Sequence, residues 1–172
     1  MNKNLALTIT IGLLAVADTY LTATVLPVPV WVTFIAWASY FVLGGGTNGL
    51  VRSIASNITG IAIGSGTLLF VTIASTHTLT AALWVGFGSA MMIQASRLGL
   101  LSVAPAIVFG FASTVGTSVA TGHAIITTDI HNPLLVAVTA MVLGNLFGYL
   151  SEISADFMVN ESKDPGSVSA VS

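Results

Sequence analysis

The chain has 172 residues, of which 55% are hydrophobic and 6% charged, with a formal net charge of −2 and a mean hydropathy of +0.97. A soluble domain carries roughly 25% charged residues, so this chain lacks the charge to cover itself in water and reads as an integral membrane protein. Its few basic residues are scattered and neutralise no run of phosphates, which excludes nucleic acid as a partner, and the absence of cysteine excludes a disulfide framework, a thiol nucleophile and a thiolate metal site.

A spanning helix needs about 20 apolar residues. The apolar runs predict an all-α polytopic transmembrane bundle of about six spans, near 5–26, 30–45, 51–73, 79–96, 98–120 and 133–155. They form one transmembrane domain over 1–158, followed by a polar, disordered cytoplasmic tail over 159–172. Met1-Asn2-Lys3-Asn4 leads into the first run, which is too long for a signal peptide and suits a retained span. Pro27 and Pro29 close it. The second run is short for a crossing and must stand nearly upright, begin at the Pro-rich turn or lie partly inside the protein. Gly44-Gly45-Gly46-Thr47-Asn48-Gly49 separates it from the third, either as a tight connection or as a flexible re-entrant turn. The Gly-Lys-Ser/Thr of a phosphate loop is missing there, so nucleotide binding is excluded. Ser75-Thr76-His77-Thr78 divides the third run from the fourth, and Asn132-Pro133 opens the sixth.

Six spans place Lys3, Arg52, Arg97 and Lys163 on one side of the membrane, which basic-residue asymmetry makes the cytoplasmic side, so both termini are cytoplasmic. The opposite loops hold His77, His123, Asp129 and His131 without lysine or arginine. The spacing of those residues matches no metal pattern, and neither a metal nor a cofactor is expected. Trp31-Val32-Thr33-Phe34 recurs as Trp84-Val85-Gly86-Phe87, and Gly49-Leu50 with Gly60 recurs as Gly99-Leu100 with Gly110, which suggests a duplicated helix hairpin or chance matching of apolar strings.

Small-residue faces at Gly60 and Gly64, at Gly110, and at Gly144 and Gly148 suit close helix packing, the main source of association in lipid. Polar residues at membrane depth are the better functional pointers, because an unpaired polar group in hydrocarbon costs several kcal/mol. Asp18 reads either as a proton-coupling or solute-contacting carboxylate or as an acid reaching the membrane interface beside Tyr20. Asn57, Gln94 and Asn145 suit either a pathway for a small solute or hydrogen bonds between helices. No spacing suggests a catalytic triad or a carboxylate pair, so no enzyme is expected.

Ala38-Ser39-Tyr40-Phe41 leading to Gly49-Leu50 within the stretch Trp31 to Gly60, then Ile93-Gln94-Ala95, Leu100-Leu101-Ser102 and Pro105, then Gly144 and Phe147-Gly148-Tyr149, resemble the YcdZ-like family of bacterial inner-membrane proteins of unknown function. The resemblance implies a small polytopic protein of the inner membrane and no particular activity, and it does not extend over Thr121 to Asn132. Sparse charge and several amides and hydroxyls at membrane depth point to a channel or facilitator for a small neutral or weakly polar solute, acting as a homo-oligomer in the lipid bilayer. The alternatives are a proton-coupled small-solute transporter using Asp18 and a non-transporting subunit of a larger membrane complex.

Overall fold

The computed structural model describes residues 1–74 and 77–162. Among the described residues are six α-helices and a 3-10 turn: α1 Lys3–Thr24, α2 Val30–Val42, α3 Gly46–Ala74, α4 Thr78–Ala95, the 3-10 turn Gly99–Leu101, α5 Ala104–Thr121 and α6 Pro133–Glu161. Five of them, all but α2, are long and apolar enough to cross a membrane. With 13 residues, α2 is about 20 Å long, well short of a hydrocarbon core of about 30 Å. It compensates by lying against other helices, with Val32, Thr33, Ala36, Trp37, Ser39 and Tyr40 buried.

Local chemistry sets the ends. Asn2 caps α1 by accepting the Leu5 amide at 2.8 Å, and Asn132 caps α6 by accepting the Leu134 amide at 2.9 Å. Gly44, Gly45 and Gly46 take φ of +91°, +70° and +63°, a run of left-handed residues that only glycine adopts cheaply, so the chain reverses at once and α3 starts at Gly46 rather than near 51. Residues 98–103 are not helical apart from the 3-10 turn. Pro105 belongs in the first turn of α5, and the helix therefore begins at Ala104 rather than at 98. At the other extreme α6 continues to Glu161, beyond the apolar run, because a helix that leaves the bilayer is free to go on through polar residues. Lys163, the rest of the tail and the pair Ser75-Thr76 lie outside the described residues.

The helices alternate in direction, which brings Lys3 of α1 beside α6, where its amine is 3.0 Å from Asp156 and 3.6 Å from Glu152. Arg52 and Arg97 fall at this same end, called below the Lys3 end, with Arg52 Nη2 donating to Ser102 at 2.7 Å. The centre of the bundle is the crossing of α3 and α5. A Cβ at Gly60 would run into the backbone of Ile107 and Phe111, and one at Gly110 into the backbone of Asn57. The contact is reciprocal: each of the two corresponding glycines meets the other helix at an equivalent place. Likewise Trp31 of α2 lies against Gly116 of α5, while Trp84 of α4 stacks on Phe70 of α3 with ring centres 4.5 Å apart. Each descending helix thus leans on the ascending helix of the other hairpin, as a duplicated hairpin would.

Candidate functional site

Buried polar side chains that bond across helices fall into three layers. In the middle one, Asn57 Nδ2 donates to the Ala106 carbonyl of α5 at 2.8 Å and to Ser39 of α2 at 3.0 Å. A carbonyl only accepts, so this orients the amide and leaves Asn57 Oδ1 to accept from Asn145 Nδ2 of α6 at 2.8 Å. The Asn145 nitrogen also donates to the Met141 carbonyl at 2.8 Å, and Ser53 bonds Ser39 at 2.7 Å. One connected set ties four helices together. All four of these side chains are fully buried, and Asn145 Oδ1 is left without a partner.

The second layer is Asp18, roughly 22 Å along α1 from Lys3. It is wholly buried, its Oδ2 meets the Thr33 hydroxyl of α2, and its Oδ1 has no partner. The Thr33 hydroxyl has one hydrogen and also lies 2.7 Å from the Val30 carbonyl. Both contacts are hydrogen bonds at once when Asp18 itself holds a proton and donates it, leaving Thr33 to donate to Val30. No basic group answers Asp18: among the described residues both salt bridges belong to Lys3. Of the two readings of this acid, reaching the interface beside Tyr20 is the one that fails. Tyr20 is 70% exposed, and residues two apart on a helix lie on nearly opposite faces.

The third layer closes the Lys3 end. Glu152 Oε2 accepts the Gly46 amide at 2.8 Å and the Tyr40 hydroxyl, at the start of α3, where a helix N-terminus favours an anion. A side chain on Gly45 would occupy the place of that carboxylate. In the same layer, just inside Glu152, Ser151 accepts from Trp37 Nε1 at 3.2 Å, and its carbonyl accepts from Thr10 of α1 at 3.0 Å.

Of the amides singled out in the sequence, Asn57 and Asn145 are brought together and bonded to each other, while Gln94 is exposed near the end of α4, apart from them. Gly60, Gly64, Gly110, Gly144 and Gly148 all sit at close helix contacts, Gly144 against the Thr33 backbone and Gly148 against Tyr40 and Trp37. At the end opposite Lys3, the rings of His123 and His131 stack with centres 5.3 Å apart, and the residues described contain no group of three or more metal-binding side chains. The residues that the sequence reading passed over are Glu152, Tyr40, Ser39, Ser53 and Thr33. Glu152 left a signal, since it falls inside the sixth apolar run as a second intramembrane acid. A cleft of about 150 Å³ between α3 and α4, lined by Gly66, Thr67, Phe70, Trp84, Phe87 and Gly88, is apolar and apart from all three layers.

The sequence matches a family model described as a protein of unknown function (DUF1097) over residues 8–156. The chain belongs to the DUF1097 family. The match runs from the first turns of α1 to within a few residues of the end of α6, so all three polar layers lie within the family domain. No curated protein and no solved structure matches the chain.

Proposed function

We propose that this membrane protein is a proton-coupled carrier for a small neutral polar solute, placed in a bacterial inner membrane with its Lys3 end in the cytoplasm. The observation that carries the reading is Asp18, an acid fully buried in a span with no cation beside it and one oxygen unpaired. A charge so placed is costly, whereas a proton that arrives and leaves makes the site a coupling point. The amides and hydroxyls of the middle layer carry no charge and offer both donors and acceptors, which suits a neutral solute. An open channel through the protomer fits less well. Asn57 and Asn145 are spent on each other, and α3 and α5 touch backbone to backbone, so passage requires a rearrangement of the carrier type. The basic residues at the Lys3 end and the resemblance to YcdZ-like proteins support the orientation and the membrane.

The test is internal acidification of pyranine-loaded proteoliposomes when urea, glycerol, acetamide or a neutral amino acid is added outside. The expected result is a solute-dependent acidification by at least one member of the panel, lost in Asp18→Asn. Equal acidification by the variant, or none from any solute, would sink the reading.

A further inference from the structure

The six helices divide into two bodies. Helices α1 and α2 both pack chiefly on α6, and α3 packs chiefly on α5, with α6 across the boundary and α4 on its other side. Glycines sit at the tightest joints inside each body, Gly144 and Gly148 between α6 and α2, and Gly60 and Gly110 between α3 and α5. The boundary between the bodies is mixed: Ile61 of α3 joins the buried apolar cluster of α2 and α6, and Trp31 of α2 lies on Gly116 of α5. It carries the middle polar layer: Asn145 and Ser39 on the first body meet Asn57 and Ser53 on the second. Two connections of the chain cross it. One is the loop over 122–132, and the other is the run of left-handed glycines Gly44 to Gly46, which joins α2 to α3.

At the Lys3 end this seam is closed by one carboxylate. Glu152 belongs to the first body, where Tyr40 and Lys3 also hold it, and it crosses the seam to accept the Gly46 amide at 2.8 Å. Its side chain is 20% exposed, so it stands between water and the buried polar layer behind it. We infer that the two three-helix bodies part along this seam and that the Glu152 bond to Gly46 is the latch holding it shut at the Lys3 end. Glycine at 45 makes room for the carboxylate, whose place a Cβ there would take. Glu152 is a positioning residue in this arrangement and touches no solute. The inference stands on packing alone, so it and the proton-carrier reading fail independently.

The natural chain has no cysteine, which allows a direct test. Ser39→Cys places a thiol in the seam, and Thr114→Cys places one on the buried side of α5. Each variant is reconstituted and exposed, from the side bearing Lys3, to a membrane-impermeant maleimide, with and without Glu152→Ala, which removes the acceptor of the Gly46 amide. Loss of a hydrogen bond to a charged acceptor is expected to speed labelling at Ser39→Cys about tenfold or more, with Thr114→Cys still protected. An unchanged rate at Ser39→Cys overturns the inference. So does an equal rise at both positions, which would report general loosening in place of an opening seam.

Discussion

Replacing Gly110 with alanine is expected to destabilise the purified protein by about 3 kcal/mol or more, the upper end of what overpacking costs. The added methyl would meet the carbonyl of Asn57, a backbone atom in the middle of a helix that has no rotamer to move to. Relief requires α3 and α5 to separate along their crossing, which also strains the bond from Asn57 to Ala106. Gly60→Ala meets the backbone of Ile107 and Phe111 and is expected to behave alike, and Gly144→Ala does so against Thr33. The sign reverses where no atom lies within 4 Å of the built position, at Gly12, Gly66 and Gly86. There alanine should be neutral or gain up to about 1 kcal/mol of helix propensity. Thermal unfolding in detergent across these six variants separates the two groups. A Gly110→Ala protein that melts with the wild type would show that α3 and α5 do not touch.

The membrane class and the helix order were legible in the sequence because both rest on local signals: long apolar runs, and Pro27, Pro29, Gly44 to Gly46 and Pro133 between them. The boundaries were less legible where two local signals conflict. Gly99-Leu100-Leu101 is apolar enough to extend a span, yet Pro105 fixes the first turn of α5 after it, and the steric rule for proline prevails over hydropathy. Hydropathy also fails to end α6, since it reports where the lipid stops and not where the helix does. The short second run was legible as an exception, and of the readings open to it the one in which it lies partly inside the protein holds: a helix shielded by α6 and α5 has no need to match the bilayer.

The polar layers were half legible. Asp18, Asn57 and Asn145 stand out individually because each is costly in hydrocarbon, but their partners are serines and threonines that a sequence supplies in abundance. Asn57 and Asn145 are 88 positions apart, and nothing local links them. The signal that Glu152 leaves in the sixth apolar run is weakened by its place near the end of the span, where an acid ordinarily faces water. What gives it meaning is the Gly46 amide, exposed to it by a turn 106 positions earlier in the chain.

The middle layer offers a second large effect. Asn57→Leu removes the donor to Ala106 and Ser39 and the acceptor for Asn145 together, leaving a buried carbonyl and a buried amide short of partners. Each unmet group costs about 1–3 kcal/mol, so a loss of about 2–6 kcal/mol is expected. Asn145→Leu strands less. Its nitrogen keeps only the Asn57 and Met141 contacts, its oxygen is unpaired already, and the expected loss is about 1 kcal/mol. Once Asn57 is gone, Asn145 has only Met141 left to bond. The double variant should therefore fall short of the sum by about 0.6–1.7 kcal/mol, the span of coupling measured between helices in lipid. Additivity within about 0.3 kcal/mol in reversible unfolding would mean that the two amides do not meet. The asymmetry also separates stability from transport. Asn145→Leu should leave the bundle folded, so loss of solute-dependent acidification in that variant would reflect the missing free oxygen and not a collapsed core.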